Sequence, residues 1–159
     1  MKITSKVTSI IGLIIISACH NNKNEILEES IAINHYIETE ISAADKHLIG
    51  EPIEISMKAT NKKNASISFL PWGTPIENGL STDCFRVQLN NEALPYVGIM
   101  VKRIAPTKKD YITLNYKESI SGKINILEGY KMNKKGIYTI QYKGGVGLAE
   151  SNSIEIEIE

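Results

Sequence analysis

The stretch Phe69-Leu70-Pro71-Trp72-Gly73-Thr74-Pro75-Ile76-Glu77 concentrates residues that end a β-strand. It contains the single Trp of the chain, two of its five Pro and one Gly. Because proline has no backbone N–H to donate to a β-ladder, Pro71 and Pro75 predict a rigid crossing at the end of a sheet. We expect Trp72 to fill the end of the core there, so that its truncation to alanine would cost about 3 to 5 kcal/mol. The alternative is an exposed aromatic surface for binding.

On either side of this crossing, apolar residues alternate with polar ones, with the period of two that is typical of half-buried strands. The predicted strands cover residues 31–41, 53–59, 65–70, 85–89, 96–102, 111–114, 120–126, 136–142 and 154–158, and the alternation is clearest in 31–41, 53–59, 85–89, 120–126, 136–142 and 154–158. Turn signals separate the runs, among them Gly50-Glu51-Pro52, Asn61-Lys62-Lys63-Asn64, Asn78-Gly79 and Asn90-Asn91. The sequence therefore predicts an all-β fold, an antiparallel β-sandwich of immunoglobulin-like type.

The N-terminal segment has the organisation of a bacterial secretion signal. Two lysines precede an apolar run over residues 7–16, which is shorter than the roughly 20 residues that a transmembrane helix requires. The following Ile16-Ser17-Ala18-Cys19 is similar to a lipobox, in which small residues admit the peptidase and the Cys thiol accepts a diacylglyceryl group. We expect removal of residues 1–18 and a lipidated, palmitate-bearing Cys19. The alternative is an ordinary signal peptide that is cut near Ala18.

The rest of the chain is expected to form a tether and one domain. Residues 19–30 are mostly polar, which is typical of a flexible tether. Residues 31–159 suit a single β-sandwich domain with a core of ordinary size. We expect the N-terminal lipid to attach this lipoprotein to a membrane of the bacterial cell envelope, at the periplasmic face or at the cell surface.

Charge and cysteine content narrow the possible partners further. The 18 basic and 18 acidic residues give a formal net charge of zero, so we expect no nucleic-acid partner. Lipidation would leave Cys84 without a disulfide partner among the two cysteines. We expect Cys84 to be a small buried side chain rather than a reactive thiol.

Several landmarks follow one another in an order that resembles a known family. They are Gly50-Glu51-Pro52, Asn61, Leu70-Pro71-Trp72-Gly73-Thr74-Pro75-Ile76-Glu77, Phe85-Arg86-Val87, Tyr96-Val97-Gly98, Val101-Lys102-Arg103, Pro106, Asp110-Tyr111-Ile112-Thr113-Leu114 and Gly136-Ile137-Tyr138-Thr139-Ile140-Gln141-Tyr142. Over about residues 48–142 the chain resembles the non-catalytic N-terminal β-sandwich domain of bacterial deuterolysin-like peptidyl-Lys metalloendopeptidases. The resemblance implies an accessory domain that stands alone on a lipid anchor.

Catalysis in that family depends on a His-Glu-x-x-His motif, which places two imidazoles and a general base at a zinc ion. The three histidines of this chain, His20, His35 and His47, do not form such a motif. We therefore predict a non-enzymatic protein with no catalytic residues, no metal site and no cofactor. We expect His35 to be a hydrogen-bonded core residue and His47 to be a solvated turn residue.

Loops at one end of the predicted sandwich are the candidates for binding, because loops on a rigid scaffold often carry function. The candidate binding residues in and beside these loops are Trp72, Thr74, Glu77, Arg103 and Lys108. We expect the loops over residues 72–79 and 105–110 to contact a protein partner such as a peptidase.

A second hypothesis comes from a different functional class. The protein could bind a carbohydrate or small ligand, or be a hydrolase without a recognisable motif. Its site would then be built by the aromatic side chains of Trp72, Tyr96 and Tyr111.

Replacing the lipidation site tests the predicted anchor. The Cys19→Ala protein should move from the membrane fraction to the soluble fraction, because stable attachment needs two or more acyl chains and the variant would carry none. Cell fractionation with and without detergent measures the change, and Cys84→Ala is the control that should stay with the membrane. Unchanged, detergent-dependent fractionation of Cys19→Ala would contradict the prediction.

Overall fold

The structure, a computed structural model, describes residues 37–145 and 147–159. The predicted signal peptide, the lipidation site Cys19, the tether, the start of the first predicted strand and His35 lie outside the described residues. No helix in these two ranges is long and apolar enough to cross a membrane.

The described residues form ten strands and three short 3-10 helices. The strands are β1 (Ile37–Ser42), β2 (Lys46–His47), β3 (Glu54–Asn61), β4 (Ile67–Phe69), β5 (Phe85–Leu89), β6 (Glu92–Ala93), β7 (Ile112–Leu114), β8 (Ser119–Asn125), β9 (Gly136–Tyr142) and β10 (Ser153–Ile158). The 3-10 helices are η1 (Pro75–Glu77), η2 (Lys108–Asp110) and η3 (Ile126–Glu128). The prediction of an all-β protein is confirmed.

The strands are arranged in three sheets. One has the order β1-β3-β8, a second has the order β2-β10-β9-β5-β6, and the third pairs β4 with β7. The short β2 runs parallel to β10, with Lys46 opposite Glu157, whereas the other strand pairs are antiparallel. The predicted antiparallel pairing is therefore confirmed for every strand pair except β2 with β10, at one edge of the second sheet.

One cluster of buried apolar side chains joins the first two sheets in a sandwich-like arrangement. Ile55 and Met57 point into it from β3, and Tyr138 and Ile140 point into it from β9. Their neighbours along each strand are more exposed, as the period of a β-strand requires. The predicted alternation is confirmed in β3, β5, β8, β9 and β10.

The predicted turn at Asn90-Asn91 is confirmed as a tight hairpin between β5 and β6. Leu89 pairs with Glu92 across the two-residue loop. Both asparagines have positive φ, at 50° and 68°, which is the backbone geometry of a type I′ turn.

The strand predicted over residues 96–102 is not formed. Tyr96 makes a single bridge to Tyr130, and residues 97–104 have no regular secondary structure. Ile99, Met100 and Val101 are apolar at three consecutive positions. In a half-buried strand, at least one of these side chains would lie on the solvent-facing side.

The turn before β9 is held by the side chain of Tyr138. Its hydroxyl donates to the carbonyl oxygen of Lys134 at 2.9 Å and accepts from the Lys134 N–H at 3.2 Å. A buried tyrosine thus satisfies both backbone groups of a residue four positions upstream. These bonds fix how the chain enters β9.

Asn61 ends β3 and joins three segments of the chain. Its side-chain N–H groups donate to the carbonyl oxygens of Ala65 at 2.7 Å and Leu114 at 2.9 Å. Its side-chain oxygen accepts from the Lys63 N–H at 2.9 Å. The asparagine is fully buried, so water cannot replace these bonds.

Truncating this residue tests its structural role. Asn61→Ala should lower the free energy of unfolding by about 3 kcal/mol, because three backbone groups lose their partner and each buried one costs about 1 to 3 kcal/mol. Urea unfolding followed by circular dichroism measures the loss. The exposed Asn64→Ala is the matched control and should change stability by less than about 0.5 kcal/mol. A loss below about 1 kcal/mol for Asn61→Ala would show that the loop has other support.

Candidate functional site

The predicted crossing at residues 69–77 ends in the 3-10 helix η1. Thr74 is its N-cap, because its Oγ1 accepts from the Ile76 N–H at 3.3 Å. The same hydroxyl donates to the carbonyl oxygen of Pro71 at 2.6 Å. Pro75 occupies the first helical position, where its missing N–H would be unpaired in any case. Thr74 is fully buried, so it supports the loop from inside and offers no surface for binding.

Helix η1 lies directly against β8 at Gly122. A Cβ atom at this position would overlap with the carbonyl oxygen of Pro75 and the Cα of Ile76. Glycine is therefore required for the two backbones to approach so closely. The contact fixes the position of the loop that carries Trp72 and Glu77.

Trp72 does not fill the end of the core, contrary to the expectation from the sequence. Its side chain is half-buried and is not a member of the buried cluster, whereas Ile76 and Leu80 are. The guanidinium carbon of Arg103 lies over the indole, 4.9 Å from the ring centroid. The core position is taken by Ile76, which leaves the larger indole at the edge of the protein, under a cation.

Arg103 also forms an ion pair with Glu77. The side chains are 30% and 25% exposed, which makes this the least exposed ion pair of the described residues. The second carboxylate oxygen of Glu77 accepts from the Gly73 N–H at 3.0 Å and from the Ser81 hydroxyl at 3.3 Å. Three of the predicted site residues, Trp72, Glu77 and Arg103, are thus brought together. Ser81 belongs to the same group, and no sequence pattern marked it.

Lys108 is exposed in η2, apart from these contacts. The N–H and hydroxyl of Thr107 both donate to Asp110 Oδ2 at 2.7 Å. These bonds, the backbone bond first, hold the pKa of the Asp110 carboxyl below its ordinary value. Within the described residues the Lys108 ammonium has no ion-pair partner. Lys108 is therefore close to Arg103 in the sequence but has no contact with the cluster of Trp72, Glu77 and Arg103.

Residues 97–104, which we call the 97–104 segment, are the largest feature that sequence reasoning missed. The segment exposes five large apolar side chains: Val97, Ile99, Met100, Val101 and Ile104. Its signal in the sequence was the absence of alternation in Ile99-Met100-Val101. Apolar side chains that a strand would have buried lie instead in contact with solvent.

The three aromatic rings of the alternative hypothesis, those of Trp72, Tyr96 and Tyr111, are not all available to a ligand. The ring of Tyr96 packs edge-on against Tyr130, with centroids 5.4 Å apart. Its hydroxyl donates to the carbonyl oxygen of Ile99 at 2.7 Å. One face of Trp72 is covered by Arg103, and only Tyr111 of the three is exposed. Tyr96 is therefore part of the scaffold that supports the 97–104 segment.

The remaining chemically active side chains are placed for structure. Cys84 is buried as expected, and burial raises the pKa of its thiol to about 12, so that the thiolate is scarce at neutral pH. His47 lies half-buried in β2 rather than in a turn. Residues 37–145 and 147–159 contain no group of three or more His, Cys, Asp or Glu side chains that could hold a metal ion.

The chain is similar to an extracellular protease of Aeromonas hydrophila, with 26% identity over 92 residues. The matching part is 58% of this chain and 26% of the protease, so the chain spans about a quarter of its relative's length. The chain matches no family model. The similarity supports a protease-related domain, and its assignment to the non-catalytic N-terminal part of such a protease stays a prediction.

Truncating the indole separates a core residue from a surface one. Trp72→Ala should lower the free energy of unfolding by about 1 to 2 kcal/mol, the loss of partial burial and of one cation–π contact. Urea unfolding followed by circular dichroism is the measurement, because the variant has no Trp for fluorescence. Phe85→Ala, which removes a fully buried ring, is the control and should cost about 3 to 5 kcal/mol. An equal loss in both variants would return Trp72 to the core.

Proposed function

We propose that this protein is a lipid-anchored, non-enzymatic interaction module of the bacterial cell envelope that binds a protein partner such as a peptidase. The observation that carries the proposal is the 97–104 segment. Soluble proteins rarely expose large contiguous apolar patches, and such patches commonly mark an interaction site. The adjoining cluster of Trp72, Glu77 and Arg103 holds a half-buried aromatic and an arginine, two residue types enriched at protein interfaces.

The similarity to an extracellular protease supports the choice of partner. In that protease, the matching quarter and the other three quarters belong to one polypeptide chain. A domain of this type on a separate chain would bind another protein whose surface is similar to that of those three quarters.

We also infer that the sandwich is of immunoglobulin-like type. In such domains strands A, B and E share one sheet, while C, F and G share the other. The orders β1-β3-β8 and β10-β9-β5 correspond to A-B-E and G-F-C. Tyr138 resembles the tyrosine corner of these domains, since it lies near the start of β9 and bonds to the backbone just upstream. Ile140, two residues further on and fully buried, stands where antibody domains have a disulfide cysteine.

We infer a non-enzymatic role because the chain contains no His-Glu-x-x-His motif. The Cys84 thiol is buried, and its raised pKa argues against a nucleophile. An accessory module needs neither a nucleophile nor a metal, only a shaped surface in the compartment where its partner works. Attachment through Cys19 would keep such a module at the envelope.

Direct binding tests this function. The soluble Cys19→Ala protein should bind the part of the Aeromonas hydrophila protease that lies outside its matching region, with a Kd of about 10 μM or tighter, as for a transient protein complex. Biolayer interferometry measures the affinity, and an unrelated secreted peptidase is the control. Absence of binding, combined with saturable binding on a glycan array, would replace the proposal by the carbohydrate-binding alternative.

A further inference from the structure

We infer that the 97–104 segment is the docking surface itself, and that the partner protein presents an apolar groove with a rim of carboxylates. The inference rests on the proposed function, which it makes more specific. It depends on three properties of the segment, namely its exposed apolar side chains, its fastening to the domain and its charge.

The apolar exposure is concentrated in this one segment. Ile99, Met100 and Ile104 are 74%, 74% and 87% exposed. Five of the ten large apolar side chains that are exposed in the described part of the chain lie within these eight residues. Burying such side chains in a partner removes apolar surface from water at about 25 cal/mol per Å². An apolar groove is therefore the surface that gains most from contact with this segment.

The segment is held in a defined place on the domain. The Val97 N–H donates to the carbonyl oxygen of Gly129 at 2.8 Å, and the Val101 N–H donates to that of Ser81 at 3.0 Å. Arg103 is fastened by Glu77 and by the Trp72 ring. A surface that is ordered before binding loses less conformational entropy when the partner arrives.

Between and just after these attachments, backbone N–H groups of the segment are free to bind. The N–H groups of Ile99, Met100, Lys102 and Ile104 have no hydrogen-bond partner among residues 37–145 and 147–159. A protein groove can supply carbonyl acceptors for such groups, as in recognition by β-strand addition. The hydrocarbon of a membrane cannot, and each unpaired group would then cost several kcal/mol. The unpaired N–H groups favour a protein over a lipid surface as the occupant.

Charge specifies the rim of the groove. Residues 97–109 include four basic residues and no acidic one, although the chain as a whole is neutral. Glu77 neutralises Arg103, while Lys102, Lys108 and Lys109 are exposed and have no ion-pair partner within the described residues. Carboxylates placed around the apolar groove would complement these three cations and speed association.

Two variants with matched controls test the surface in the soluble Cys19→Ala protein, with the non-matching part of the Aeromonas hydrophila protease as the probe. Ile99→Ser/Met100→Ser/Ile104→Ser should weaken binding about tenfold or more, as expected when anchor residues are removed. The control Leu48→Ser/Ile49→Ser/Ile137→Ser removes three exposed apolar side chains elsewhere and should change the Kd by less than about twofold.

Charge reversal tests the rim. Lys102→Glu/Lys108→Glu/Lys109→Glu should lower the association rate about tenfold at low salt, and the difference should shrink at high salt. Reversal of Lys58, Lys131 and Lys134, three lysines outside the segment, is the control and should have a smaller effect. Equal effects of the two reversals would remove the acidic rim from the inference.

Hydrogen exchange on the unsubstituted surface gives a readout that does not depend on how a variant folds. The amides of residues 99–104 should exchange more slowly in the complex than in the free protein, because they gain partners. Exchange that slows elsewhere and not in this segment would overturn the inference.

The remaining outcomes distinguish this inference from the proposed function. Binding that is equal for the wild-type surface and the Ile99→Ser/Met100→Ser/Ile104→Ser variant would reject the surface and leave the function standing. No binding by the wild-type surface would reject both. If the wild-type surface binds anionic phosphatidylglycerol vesicles and the variant does not, the surface binds lipid and the stated partner is wrong. If the wild-type surface forms a concentration-dependent dimer in sedimentation and the variant does not, the partner is a second copy of this chain and the stated partner is again wrong.

Discussion

The close approach of η1 to β8 is the constraint on which the loop end of this protein depends. It is possible because Gly122 has no side chain to separate the strand from the backbone of Pro75 and Ile76. With η1 seated there, Ile76 closes the core from this side. The indole of Trp72, four residues earlier, then has no place in the interior and lies at its edge.

The displaced indole is paired with a distant part of the chain. Arg103 covers the ring and bonds to Glu77, and Glu77 in turn binds the Gly73 N–H. Partly exposed ion pairs add little stability, so we assign this cluster a positional role. It holds the apolar 97–104 segment against the domain while leaving the side chains in solvent. Because these exposed apolar side chains contribute nothing to the core, they are the basis of the proposed binding role.

The strands that were predicted correctly are those in which buried and exposed residues alternate along the sequence. In β3, β9 and β10, alternate residues face the core, and the backbone geometry of a strand makes that pattern visible in the sequence. The hairpin at Asn90-Asn91 was also predictable, because asparagine tolerates the positive φ of its tight turn. The failure at residues 96–102 has a physical reason. The run Ile99-Met100-Val101 does not alternate. A strand also needs a free sheet edge to pair with, and the local sequence does not specify where such edges lie.

The candidate site was also predicted only in part. Residue types and turn signals were enough to select Trp72, Glu77 and Arg103, but Thr74 proved to be a buried cap and Lys108 lies outside the cluster. By itself the sequence determined the all-β class, the positions of most strands and the end of a strand within residues 69–77, because each follows from the backbone preferences of neighbouring residues. Only the tertiary structure decided that Ile76 rather than Trp72 closes the core, and that Arg103 meets an indole and a carboxylate from another loop. These outcomes depend on packing between segments that are distant in the chain.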